Sequence, residues 1–151
     1  MACILEVNGL APEMGENCWL APNATLVGDV KLGKNCTVWF NAVIRGDVNE
    51  IRIGDDTNIQ DGAVIHCTYK QAGTNIGNQV SIAHNAIVHG CIIHDRVLVG
   101  MGAIVMDGAI IHSDAVIAAG AVVLAGTVVE AGSIYAGTPA RKVKEIGDNM
   151  R

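Results

Sequence analysis

The chain has 151 residues, half of them apolar but only 3% aromatic, and a net charge of −5, so its length suits a single domain. The negative charge, with no lysine and arginine cluster before the C-terminal tail, disfavours nucleic acid and anionic membranes as partners. No apolar stretch reaches membrane-spanning length, and the start, MACILEVNGL, lacks the basic and apolar regions of a signal peptide.

The five cysteines form no CxxC motif and are odd in number, which favours a reducing compartment over a disulfide framework. We therefore expect a cytoplasmic protein.

An apolar residue recurs every six positions along most of the chain, with short insertions after residues 44 and 65 and one residue lost after residue 88. A period of six is not helical and fits a short strand and a turn, repeated. The repeating residues are Met14, Leu20, Leu26, Leu32, Val38, Ile44, Ile53, Ile59, Ile65, Ile76, Ile82, Val88, Ile93, Val99, Val105, Ile111, Ile117, Val123, Val129 and Tyr135.

Three such units make one triangular coil, in which each repeating side chain points inward and stacks on the one a coil below. The repeats predict an all-β fold, a parallel β-helix of about six to seven coils and about 30 Å in height. We expect this β-helix to form one domain over residues 1–138. The pattern resembles the hexapeptide-repeat proteins, and that resemblance implies a left-handed β-helix.

The tail over residues 139–151 is predicted to be an α-helix that covers the prism or a neighbouring chain. Pro139 can open a helix at its first turn, and Val143, Ile146 and Met150 would then share one face.

Because three units make one coil, residues three units apart in sequence lie one above the other, and this predicts where the histidines lie. Arg45, His66 and His89 each follow a repeating residue one coil apart, and we call this column the first edge. Gln60, Asp61 and His84 lie on a second edge. His84 and His89 are about 16 Å apart along an extended strand, too far to share one metal within a chain.

A ring of three chains would bring the second edge of one chain to the first edge of the next. We therefore expect a homotrimer with a metal at each interface. His94 and His112 stack with Glu130 on a third edge, which would face solvent and is expected to be plain surface.

Four motifs, V-I-R-G-D (43–47), N-I-Q-D-G (58–62), V-I-H (64–66) and H-x4-H (84–89), resemble the γ-class carbonic anhydrases. The resemblance implies a lyase that hydrates CO₂ reversibly to bicarbonate, with Zn²⁺, or alternatively Fe²⁺ or Co²⁺, bound between subunits. The implied metal ligands are His66, His84 and His89. The implied catalytic and subunit-linking residues are Gln60, Arg45, Asp47, Asp61 and Tyr135.

The sequence departs from that family where a proton would leave the site. Val48 stands where the active archetype has glutamate, and the loop at 67–75 contains no acid. Slow turnover is therefore expected, with Glu50 as a substitute proton carrier. Three other functions stay open: a metal-dependent thioesterase or hydrolase, a hexapeptide acyltransferase, and a non-enzymatic assembly subunit.

Overall fold

The computed structural model describes residues 1–147, and all of its regular structure is β-strand. The strands are β1 (Cys3–Leu5), β2 (Glu13–Met14), β3 (Trp19–Leu20), β4 (Thr25–Leu32), β5 (Thr37–Val38), β6 (Val43–Ile53), β7 (Asn58–Ile59), β8 (Val64–His66), β9 (Thr74–Ile76), β10 (Ser81–Ile82), β11 (Ile87–His89), β12 (Ile92–Ile93), β13 (Leu98–Val99), β14 (Ile104–Val105), β15 (Ile110–Ile111), β16 (Val116–Ile117), β17 (Val122–Val123), β18 (Val128–Val129), β19 (Ser133–Ala136) and β20 (Arg141–Glu145).

The strands stack in parallel to form the three faces of a β-helix. One sheet contains β3, β5, β7, β10, β13, β16 and β19 in that order, so the chain makes about seven turns. The other sheet contains the remaining two faces, because β4 and β6 continue around a corner and join them. The predicted parallel β-helix is confirmed.

The interior is a column of aliphatic side chains. Every residue of the six-residue repeat is buried except Met14 and Leu20, which lie in the first turn. Alanines such as Ala42, Ala63 and Ala86 are fully buried beside them, where a larger side chain would not fit the narrow corner. Each fully buried isoleucine stabilises the fold by about 1.5–3 kcal/mol. Stacking of the turns, which buries these side chains, is therefore the main source of stability.

The corners are sharp because single residues adopt left-handed backbone conformations. At most corners this residue is Asn, Asp or Gly, the types that tolerate positive φ best. Gly62 has a φ of 72°, and a Cβ there would lie 2.1 Å from Oδ1 of Asn85 in the next turn. Glycine at this corner therefore lets consecutive turns approach closely.

The predicted C-terminal helix is wrong over the described residues. β20 pairs antiparallel with β19, and Ile146 is buried while Val143 remains 61% exposed. The physical reason is that the last turn leaves the hydrogen-bonding groups of β19 unpaired, and the tail satisfies them as a strand. Met150 lies outside the described residues. No helix in residues 1–147 has the length and apolar character needed to span a membrane.

Candidate metal centre

The first edge forms as the stacking predicts. β8 and β11 pair in register with His66 opposite His89, and Ile44 pairs with Ile65, which places Arg45 in the same column. Nδ1 of His66 lies 3.2 Å from Nε2 of His89. The two rings are nearly perpendicular, with an interplanar angle of 69°, so they meet through nitrogen atoms rather than through ring faces.

Carboxylates hold the outer nitrogen of each ring. Nε2 of His66 lies 2.9 Å from Oδ1 of Asp47, and the other oxygen of Asp47 accepts a hydrogen bond of 2.5 Å from Arg45. Nδ1 of His89 lies 2.6 Å from Oδ1 of Asp107. The two nitrogens that face each other are therefore the ones left for a cation.

These contacts also keep both carboxyl groups ionised. Partial burial alone would raise the pKa of Asp47, but hydrogen bonds from His66 and Arg45 outweigh it and lower that pKa. Asp107 behaves similarly, since hydrogen bonds from Thr68 and His89 outweigh the effect of burial and lower its pKa.

The spacing of the two facing nitrogens fits a divalent metal. Zinc–nitrogen bonds of about 2.0–2.1 Å in tetrahedral geometry place two ligand nitrogens roughly 3.3–3.4 Å apart. The 3.2 Å separation of His66 and His89 is close to that value. Neutral imidazoles are also the nitrogen ligands that Zn²⁺, Fe²⁺ and Co²⁺ accept.

The second edge carries the third histidine. β7 and β10 pair in register, and Nδ1 of His84 lies 3.7 Å from Oδ1 of Asp61. Gln60 precedes Asp61 on the same edge, and its amide nitrogen donates a 2.9 Å hydrogen bond to Oδ1 of Asn58. Beside them is a cavity of about 600 Å³ whose other walls include Trp39 and Phe40.

No single copy of residues 1–147 gathers three histidine, cysteine or acidic side chains in a metal-binding arrangement. The structure brings His66 and His89 together on the first edge and leaves His84 on the second. Completion of the site by another copy of the chain stays a prediction.

Tyr135 is not on either edge. It occupies a core position of β19, is buried, and its hydroxyl accepts a 3.4 Å hydrogen bond from the backbone nitrogen of Glu130. Within one chain the structure therefore places this residue in the core, three strands above β10 in the same sheet, because it continues the inward-pointing repeat.

The third edge differs chemically from the first. The rings of His94 and His112 are parallel within 1° with centroids 5.2 Å apart, so their faces meet. Glu130, next in the column, accepts a hydrogen bond from Lys142 at 2.6 Å. This parallel arrangement differs from the nearly perpendicular one of His66 and His89.

Sequence reasoning missed Asp107 and its partner Thr68. The register Val88 to Val105 stacks Met106, not Asp107, above His89. Asp107 reaches back diagonally because the residue below it is Gly90. A search for acids one residue out of register, above a glycine, could have found it.

Comparison with known protein families identifies the repeats of this scaffold. The family model described as bacterial transferase hexapeptide (six repeats) matches residues 11–46 and 90–134. The unmatched part between them contains the three candidate histidines together with Asp47, Gln60 and Asp61, so the repeats identify the scaffold and not the chemistry.

Relatives share nearly the whole chain. The probable carbonic anhydrase of Methanocaldococcus jannaschii is 50% identical over 133 residues, which cover 88% of this chain and 83% of that protein. Protein YrdA of Escherichia coli K12 is 39% identical over 148 residues, 94% of this chain and 80% of that one. The chain belongs to the γ-class carbonic anhydrase-like family of hexapeptide-repeat proteins.

Other similar proteins are longer than this chain or have transferase names. Mitochondrial gamma carbonic anhydrase 1 of Arabidopsis thaliana is 35% identical over 96% of this chain, which spans 54% of that protein. A solved hexapeptide transferase family protein of Anaplasma phagocytophilum has a TM-score of 0.93 at 37% identity, covering 97% of this chain and 86% of that one. A solved candidate acetyltransferase of Bacillus cereus has a TM-score of 0.96 at 34% identity, covering 99% and 86%.

Proposed function

We propose that the protein is a metal-dependent carbonic anhydrase-like enzyme that interconverts CO₂ and bicarbonate as a homotrimer. The observation that carries the proposal is the pair of facing nitrogens on His66 and His89, 3.2 Å apart. His84 of a neighbouring copy would complete three imidazole ligands, the set that leaves one position open in catalytic zinc sites. All five cysteines are free thiols, which fits a reducing, cytoplasmic location.

Each residue of the site has a role that follows from its contacts. A divalent cation bound there would supply the Lewis acidity that makes water a nucleophile at neutral pH. Asp47 and Asp107 orient the two imidazoles of the first edge. Gln60, held by Asn58, would orient a water or CO₂ beside His84, and Arg45 holds Asp47.

Stopped-flow CO₂ hydration on protein of measured metal content tests the proposal. Wild type and the control His94→Ala should bind metal and hydrate CO₂, while His66→Ala should lose both properties because one of three ligands is gone. Metal-loaded wild type with no hydration at all would contradict the carbonic anhydrase function.

One observation favours a second candidate, a metal-dependent thioesterase or other ester hydrolase. In the single chain, a groove of about 600 Å³ beside His84 and Gln60 has aromatic walls from Trp39 and Phe40, and the part that a neighbouring copy leaves open would accept a larger substrate than CO₂. Hydrolysis of acyl thioesters by metal-loaded wild type, and its loss together with the metal in His66→Ala, would support this candidate.

A further inference from the structure

Asp107 lies on the corner that follows β14, one turn above His89. One carboxylate oxygen lies 2.6 Å from Nδ1 of His89, and the other accepts a short hydrogen bond from the hydroxyl of Thr68. Thr68 belongs to the inserted loop between β8 and β9. The loop and the histidine therefore meet on the same carboxylate.

The backbone around His89 is built to admit this carboxylate. Gly90 has a φ of 60°, and a Cβ at that position would lie 2.8 Å from Cγ of Asp107. The hydroxyl of Thr74 accepts a 2.8 Å hydrogen bond from the nitrogen of Gly90 and donates one of 2.6 Å to the carbonyl of His66. The space that Asp107 enters is thus fixed by both histidine-bearing strands.

The inserted loop is held against the neighbouring loop as well. The side-chain amide of Asn49 donates a 3.2 Å hydrogen bond to the carbonyl of Thr68, and Thr68 pairs with Ala72 across the loop. Thr68 is therefore fixed from two sides where it meets Asp107.

The contact determines which nitrogen of His89 carries a proton. A carboxylate accepts hydrogen bonds and does not donate them when ionised, so Nδ1 of His89 carries the hydrogen. Nε2, which faces His66, then presents its lone pair to the space between the rings. Metal-binding histidines commonly have a carboxylate in this place, and its loss costs about 10–100-fold in metal affinity.

We propose that Asp107 is a positioning residue that fixes His89 as a metal ligand, and that Thr68 of the inserted loop holds Asp107 in place. The acid-free loop thereby has a structural role in the site. This inference rests on the metal centre in the proposed function.

The test is the dissociation constant for Zn²⁺, measured by competition with a chromophoric chelator. Asp107→Ala and the isosteric Asp107→Asn should bind Zn²⁺ about 10–100-fold more weakly than wild type, and Thr68→Val should weaken binding by a smaller factor. The control is Asp114→Asn, which removes a carboxylate that pairs with Arg96 on another edge and should leave the constant unchanged.

A second readout separates positioning from damage to the fold. Ring ¹⁵N shifts of metal-free protein should show His89 protonated at Nδ1 in wild type and as a mixture of tautomers in Asp107→Ala. Wild-type affinity and an unchanged His89 tautomer in both Asp107 variants would overturn the inference while the metal centre stands. Wild type that binds no Zn²⁺ would overturn the proposed function and this inference with it.

Discussion

Cys36 lies inside the β-helix, where it contacts the next turn. The residue is 1% exposed, and its thiol donates a 3.0 Å hydrogen bond to the carbonyl of Gly54. Burial raises the pKa of Cys36 to about 11 from an ordinary value of 9.0. The folded protein therefore keeps this proton to higher pH than the unfolded chain does.

Stability should consequently fall as pH rises above about 9, because the unfolded chain then binds fewer protons. Between pH 8 and 10.5 the loss due to Cys36 should be about 2 kcal/mol. Urea unfolding of wild type and Cys36→Ala at both pH values measures it, since the variant should lose less stability over the same interval. Equal losses in the two proteins would contradict the burial of this thiol.

Val48 lies where a proton acceptor would serve the site. It is half-buried beside Asp47 and lines a cavity of about 300 Å³ together with Glu50 and Tyr69. Glu50 is paired with Arg52 at 3.2 Å. Valine at position 48 has no group that can accept a proton.

Turnover of CO₂ should therefore depend on external proton acceptors and rise with imidazole buffer, and Val48→Glu should reduce that dependence. Val48→Gln, which has the same shape without the acid, is the matched control. Plots of turnover against buffer concentration give the answer. A fast wild type that ignores buffer would show that another group already carries the proton.

At the scale of the elements, the repeat predicts the β-helix well because each six-residue unit has the same environment. Its period also predicts the register, so His66 and His89 stack as expected. The same reasoning does not predict the contact between Asp107 and His89. Asp107 stacks on Gly90, whose missing side chain leaves room for the carboxylate to reach His89, one residue out of register. Residue columns describe neighbours directly above one another and not diagonal ones.

The tail could not be predicted from its own pattern. Val143 and Ile146 suit one face of a helix, but five residues also suffice for a strand, and the free edge of β19 decides between the two. The sequence of the tail alone does not show that β19 has a free edge, and pairing with that edge overrides the local helical preference.

The two structures of the tail predict different mutational effects. In the observed tail, Ile146→Ala removes a buried side chain just after β20 and should cost about 2–4 kcal/mol, while Val143→Ala, at an exposed position in β20, should cost less than about 0.5 kcal/mol. On the predicted helix both side chains would share the buried face. Thermal or urea unfolding of the two variants distinguishes them, and comparable losses in both would contradict the strand.

At the scale of the whole molecule, the second edge has the surface of an interface. Trp19, Trp39 and Phe40 cluster there, with ring centroids 4.8–6.5 Å apart, and each is 37–43% exposed in the single chain. Such exposed aromatic clusters are typical of protein contacts. They adjoin His84 and Asp61, so a neighbouring copy that covers them would also approach the candidate ligand.

The central claim is that one metal site takes its ligands from two copies of the chain. His84→Ala and His89→Ala each remove one ligand and should each bind little metal alone. The two variants are unfolded, mixed in equal amounts and refolded into random trimers. In about one quarter of the interfaces, one chain should then supply His66 and His89 and the other His84.

Metal content of the mixed trimers is the decisive measurement. The account predicts that the mixture regains metal at about one quarter of the wild-type level, while either variant refolded alone stays empty. A mixture as empty as its components would contradict the account, because a site within one chain cannot be restored by a partner that lacks a different ligand.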